Sequence, residues 1–195
     1  GTGTRVGLSI PKQLIKIAGK SIVEHTLDVF QNNDSIDEVI IMMNPGAISE
    51  LDYLLESNQF SKLTRILPGG ETRNDTTKLA LAAIAENRCK VLFHDAVRPF
   101  IDDRIIDECV NALDKFEAVD TAIASADTII EVDDNACITD IPVRSKLRRG
   151  QTPQAFSIET IRQAYRLAEG DSSFQATDDC GVVFKYLPDV PIFVV

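Results

Sequence analysis

The chain has 195 residues, 44% of them hydrophobic and 26% charged, and a formal net charge of −10. That length supports one domain with a substantial core, and the acidic balance excludes a general nucleic-acid binder, which needs a basic face. No apolar run is long enough to span a bilayer. The four cysteines, Cys89, Cys109, Cys137 and Cys180, form no CxxC pair, so they read as reduced thiols of a cytoplasmic protein and not as a zinc site. An anionic ligand must therefore meet a local cluster of positive charge.

The chain opens on a loop, GTGTRVGLSIPKQ. Its glycine spacing invites comparison with the dinucleotide fingerprint, in which a helix starts within the motif and turns its N-terminus to the pyrophosphate. Here Gly7 and Pro11 follow too soon for such a helix, and the GK[ST] ending of the Walker loop is absent. What remains is a segment whose backbone N–H groups can curl around phosphates, with Arg5 and Lys12 to neutralise them. That suits a triphosphate under attack better than a resting dinucleotide. Gly1 lies inside this loop and PIFVV stops inside an apolar run, so the expectation is a segment of a longer chain with a strand ahead of Gly1.

Next, SIVEHTLDVF sets Val23, Leu27 and Phe30 on one helical face, and EVIIMM is a β-branched run fit for a buried strand. PGAISELDYLLES predicts a helix with Ile48, Leu51, Leu54 and Leu55 inward. TRIL predicts a strand, followed by the pair Gly69–Gly70 and a helix from about Asp75 to Glu86. KVLFHDAVRPF is a strand running out into a polar loop, and DDRIIDECVNALDKF is an amphipathic helix. AVDTAIASADTIIEV reads as strands broken near Ala126, and SIETIRQAYRLAEG as a helix ended by Gly170. Such alternation favours a mostly parallel sheet covered by helices on both faces. Residues 133–151, DDNACITDIPVRSKLRRGQ, break the pattern with Arg144, Lys146, Arg148 and Arg149 close together. They read either as a solvated hairpin or as an arm that meets an anion or a second subunit.

Three motifs besides the opening loop carry candidate chemistry. In HDAVRPF, Asp95 sits at a strand's carboxyl end, where ligands collect in open parallel sheets. It could hold magnesium, which takes few protein ligands and fills its shell from phosphates and water; the alternative is a turn cap paired with Arg98. His94 reads as packed or hydrogen-bonded and His25 as structural. In GGETRNDTT, the two glycines allow close backbone approach to a ligand, Asn74 or Asp75 could cap the next helix, and Thr76 and Thr77 offer hydroxyls. By itself that motif is better explained by a strand-to-helix turn. GQTPQAF and TDDCGVV supply Thr152 and Thr177 as hydroxyl donors for a sugar or phosphate, although Thr177 also reads as a helix N-cap. Neither holds a nucleophile with a paired base, so an acyl-transfer triad is not supported.

Taken in order, GTGTR…PKQ, GG..R, HDAVRPF, QTPQ.F and TDD resemble the cytidylyltransferases that couple CTP to a sugar-alcohol phosphate, across essentially the whole chain. The resemblance implies a Rossmann-like α/β nucleotidyltransferase domain over residues 1–195, with residues 133–151 as a β-arm reaching into the partner of a homodimer. It implies that Gly1, Thr2 and Gly3 line the triphosphate loop. Arg5 and Lys12 would contact the CTP phosphates and, with Asp95, carry catalysis. Gly70 and Thr76 would lie near the cytosine, with Arg73 supporting their loop, and Ala96 and Arg98 would share the CTP-binding loop of Asp95, the magnesium ligand. Thr128, Arg144 and Thr177 would bind the acceptor, Arg144 from across the dimer. Two acceptors compete, 2-C-methyl-D-erythritol 4-phosphate of isoprenoid synthesis and ribitol 5-phosphate of teichoic-acid and capsule synthesis. The wording of AVDTAIASADTIIEV and ITDIPVRSKLRRGQTPQAF favours ribitol. Family members also carry a lysine in an N-x-K-x-T stretch beyond the strand at which these 195 residues stop. A rival class, a nicotinamide-dependent reductase gripping its cofactor with GTGTRVG, lacks both the helix after the loop and an acid ending the second strand.

Overall fold

The computed structural model describes residues 11–56, 59–171 and 177–195; Gly1, Thr2, Gly3 and Arg5 lie outside them. A small hairpin, β1 (Lys16–Ile17) and β2 (Lys20–Ser21), turns through Ala18 and Gly19, both at positive φ. It leads directly into α1 (Ile22–Asn32), whose start is fixed by a capping box between Ser21 and Glu24, the reciprocal pairing that S-x-x-E encodes. Val23, Leu27 and Phe30 are buried on its inner face, as their spacing predicts.

The strand β3 (Val39–Met43) pairs in parallel with β4 (Leu63–Pro68). Between them, the expected helix over PGAISELDYLLES is divided into a 3-10 turn, Pro45–Ala47, capped by Asn44, and a short α2, Asp52–Glu56. Leu51 and Leu54 are still buried there, while Leu55 is exposed. The larger sheet runs β10 (Ile192–Val194), β6 (Ala118–Ala124), β9 (Arg148–Ser157), β5 (Lys90–Phe93). β10 and β6 are parallel, and β9 is antiparallel to both of its neighbours. The sheet is therefore mixed, because β9 returns directly from the arm that follows β6 and needs no helical crossover.

Helices cover both faces of this sheet. α3 (Arg73–Ala83), α4 (Asp103–Ala112), α5 (Ile158–Ala168) and α6 (Asp179–Tyr186) complete the element order. On β9, Phe156 packs with Leu81, Ile158, Ile161 and Val183, while its neighbour Ala155 packs with Cys109 and Val119. Successive side chains of a strand point to opposite faces, so α3, α5 and α6 lie on one side and α4 on the other. Beyond the sheet, β7 (Glu131–Val132) and β8 (Ile138–Asp140) form an exposed hairpin, followed by a 3-10 turn at Arg144–Lys146.

Candidate functional site

The site forms where β3, β4 and β5 end. Beyond Phe93, the last residue of β5, the chain turns sharply, with the Arg98 N–H donating to the Asp95 carbonyl at 2.9 Å. The Asp95 carboxylate accepts from Arg98 Nε at 2.9 Å and faces Arg73 Nη1 at 3.4 Å, one arginine to each oxygen. Burial would raise its pKa, but the Arg98 hydrogen bond and the charges of Arg73 and Arg98 outweigh that and hold it below the usual carboxylate range. Ala96 fixes the loop from behind, its carbonyl accepting from Thr26 on α1 at 2.9 Å.

His94 takes the hydrogen-bonding role expected of it. Its Nε2 lies 3.1 Å from the Arg98 carbonyl and its Nδ1 3.1 Å from Thr152 Oγ1. A carbonyl only accepts, so Nε2 carries the proton and Nδ1 receives the Thr152 hydroxyl. Thr152 Oγ1 in turn accepts the Asp95 N–H at 3.2 Å. Burial pushes the His94 pKa down, which keeps the ring neutral and this chain of bonds intact. Gln151, next along β9, accepts from Arg98 Nη1.

The second wall is the turn from β4 into α3. The Gly69 N–H donates to the Met43 carbonyl at 2.7 Å, and the Gly70 N–H to Thr76 Oγ1 at 3.0 Å. A Cβ on Gly70 would lie 2.3 Å from Asp75 Cβ, so the turn admits no side chain there. The expected helix caps, Asn74 or Asp75, are corrected by the structure. Thr72 caps α3, with Asp75 completing a capping box at the third helical position, because Thr72 stands one step before Arg73 at the point where the backbone is still extended. Lys12 lies in a 3-10 turn, Lys12–Leu14, whose Gln13 Nε2 reaches Met43 Sδ at 3.1 Å. That turn is thereby anchored beside the end of β3, whose Met43 carbonyl also accepts the Gly69 N–H.

Sequence reasoning missed Asp179. Its side chain is 1% exposed and accepts from Arg73 Nη2 at 2.9 Å, Thr77 Oγ1 at 2.8 Å and Tyr165 Oη at 2.7 Å. Its backbone N–H donates to Gln154 Oε1 at 3.0 Å, and Gln154 donates to Asp120 at 2.9 Å. The signal was in the doubled acid of TDD: one carboxylate suffices to cap a helix, and here Asp178 does so, accepting the Gly181 N–H at 2.7 Å. Thr177 is therefore not the N-cap; it sits exposed just ahead of it. Thr128, ahead of the arm, and Arg144, on it, are both exposed; Arg144 Nη1 lies 3.4 Å from the Ala126 carbonyl, and neither side chain is hydrogen-bonded to the Arg73–Asp95–Arg98 cluster.

Arg73, Asp95, Arg98, Thr152 and Asp179 thus converge, and the turn that holds Gly70 and Thr76 adjoins Arg73. Among the described residues no group of three or more His, Cys, Asp or Glu could hold a metal ion. Asp95 alone fits an ion that brings phosphate and water ligands with it, as magnesium does. Two arginines, a glycine turn and a partly exposed carboxylate therefore stand together where strands of an α/β fold end. The fold and the site define a nucleotidyltransferase.

A family model described as 2-C-methyl-D-erythritol 4-phosphate cytidylyltransferase matches residues 1–192, and the chain belongs to that family. It is 41% identical, over its whole length, to a bifunctional ribulose 5-phosphate reductase/CDP-ribitol pyrophosphorylase of Haemophilus influenzae, of which it spans 42%. It is 39% identical to the 2-C-methyl-D-erythritol 4-phosphate cytidylyltransferase of Thermobifida fusca, spanning 81% of that protein. The crystal structure of 4-diphosphocytidyl-2C-methyl-D-erythritol synthase from Anaerococcus prevotii superposes with a TM-score of 0.86 at 32% identity, covering 94% of this chain and 82% of that one. No helix among the described residues is long and apolar enough to cross a membrane.

Proposed function

We propose that the protein transfers the cytidylyl group of CTP to 2-C-methyl-D-erythritol 4-phosphate and releases pyrophosphate. The observation that carries this reading is the match of the erythritol-phosphate family model to residues 1–192. The Thermobifida relative bears the same name, and the Anaerococcus relative is called a 4-diphosphocytidyl-2C-methyl-D-erythritol synthase. Ribitol 5-phosphate, the acceptor favoured by the wording of the arm, is the second reading, supported by the 41% identity to the Haemophilus pyrophosphorylase.

The acceptor's phosphate oxygen attacks the α-phosphorus of CTP in line with the departing pyrophosphate. A phosphate monoester is already a competent nucleophile near neutral pH, so no general base is required. The task is to bring two anions together and to stabilise charge on the equatorial and leaving oxygens. Lys12 and Arg5 are assigned to the phosphate tail, Arg73 and Arg98 to the field around Asp95, and the Gly70 backbone with Thr76 to the cytosine. Asp95 would hold the magnesium ion, which supplies neutralisation of phosphate charge when bound. Thr128, Arg144 and Thr177 are assigned to the acceptor, with Arg144 acting on the site of a second copy across a homodimer.

The test supplies the full-length protein with CTP, magnesium and either 2-C-methyl-D-erythritol 4-phosphate or ribitol 5-phosphate, and follows pyrophosphate release. A higher kcat/KM for the erythritol phosphate supports the main reading, and the reverse supports the second. Absence of release with both overturns the assignment.

A further inference from the structure

Arg73 is shared between two carboxylates of opposite character. Asp179 is 1% exposed, whereas the side chain of Asp95 is 35% exposed. Each takes one terminal nitrogen of the guanidinium, and the buried contact is the shorter, 2.9 Å against 3.4 Å. The buried acid is itself fixed from three elements. Thr77 on α3 and Tyr165 on α5 both donate to Oδ1, which leaves Oδ2 to Arg73, and the Asp179 N–H at the start of α6 is tied to Gln154 on β9. Burial and the charge of Asp179 push the Tyr165 hydroxyl far above its usual pKa, so it remains a donor. Asp179 is thus a buried acceptor held by three donors, one of which, Arg73, belongs to the site.

We propose that Asp179 is a positioning residue of the transfer reaction, acting through Arg73. This rests on the function proposed above. Held at Nη2, the guanidinium presents Nη1 towards Asp95 and cannot swing round to form a two-pronged pair with it. A bidentate pair would cancel the carboxylate's charge and remove Arg73 from any phosphate brought into the site. The looser 3.4 Å contact is the one that yields when a ligand arrives, and the buried bond keeps the arginine from following the carboxylate. Arg73 is not enclosed with its buried partner: its side chain is 38% exposed on the site's surface, against 1% for Asp179.

The experiment is a double-mutant cycle on the full-length protein, measuring kcat and KM for CTP and the Kd of CTP by calorimetry. Asp179→Asn is expected to lower kcat/KM by about 10–100-fold, the usual scale for groups that orient a ligand-binding side chain. In an Arg73→Met background the same substitution is expected to change kcat/KM less than about threefold, since groups acting as a unit are not additive. Losses that add across the cycle overturn the role. Should Asp179→Asn not fold, Tyr165→Phe loosens the same carboxylate; an equal loss with and without Arg73 then overturns it. Wild-type protein that turns over CTP but shows additive losses sinks this role alone. Wild-type protein inert toward CTP with both acceptors sinks the role together with the functional reading beneath it.

Discussion

At the scale of single residues, the site separates charges that act from charges that are spent. Asp95, set between two arginines, is assigned to the metal, and Lys12, next in the chain to the Gln13 that reaches Met43, is assigned to the nucleotide. Lys12→Ala is expected to lower kcat by about 10²–10³, as for other preorganised donors to developing negative charge, with little change in acceptor KM. Steady-state kinetics with the better of the two acceptors checks this, and wild-type turnover would refute the assignment. Asp120 tests the opposite kind of charge. A Cβ at Gly150 would lie 3.6 Å from Asp120 Oδ2 and 3.9 Å from Asp178 Oδ2, so both carboxylates border that glycine. Burial first, and then the charge of Asp178, raise the Asp120 pKa, with the Gln154 bond pulling the other way. A carboxyl raised above its unfolded value of about 3.9 contributes stability that is complete below that value and lost as pH rises through its folded pKa. Asp120→Asn keeps an acceptor for Gln154 and removes that loss. Its melting temperature relative to wild type should therefore climb as the pH is taken from 4 to 7; parallel melting curves across that range would contradict it.

At the scale of elements, the turn before α3 sets the geometry of the nucleotide wall. Gly70→Ala would drive a methyl to 2.3 Å from Asp75 Cβ, within the first turn of α3, so the helix start must move and carry Arg73 and Thr76 with it. Displacements of about 1 Å in such positioning elements can cost about 10² in rate, and kcat/KM for CTP should fall on that order with the fold retained by circular dichroism. Gly69→Ala meets its nearest atom at 3.2 Å, the hydroxyl of Thr76, and should be milder. What the sequence disclosed of these elements follows from how local their causes are. α1 and α4 were legible because spacing and cap residues lie side by side in the chain. β9 was not, since Pro153 in its middle argues against a strand; its central place between β5 and β6 is set by partners 24 or more residues away in sequence. Asp95 and Arg98 were legible as a pair three residues apart. The Arg73–Asp179 bond closes 106 residues of chain, and no short motif can announce a contact of that kind.

At the scale of the whole molecule, the feature left unexplained by one chain is the arm. Ile138, Ile141 and Val143 are 58%, 57% and 63% exposed, three large aliphatic side chains within six residues on a segment that packs on little of its own chain. Exposed apolar clusters with a polar rim mark interaction surfaces, and full burial of each such side chain is worth about 1.5–3 kcal/mol. The arm also carries Arg144, Lys146, Arg148 and Arg149, whereas the chain as a whole has a net charge of −10, so a second copy offers the complementary sign. A dimer built through the arm would set Arg144 beside the partner's acceptor site, joining the oligomeric state to catalysis. Ile138→Asp is then expected to shift the protein to monomer in sedimentation velocity and to raise the acceptor KM by about tenfold, one charge-assisted contact, while the Kd for CTP stays within about twofold. Because Ile138 touches neither the glycine turn nor the Asp95 loop, a parallel loss of CTP binding would point to general damage. A variant that remains dimeric with an unchanged acceptor KM would take the arm out of both the interface and the reaction.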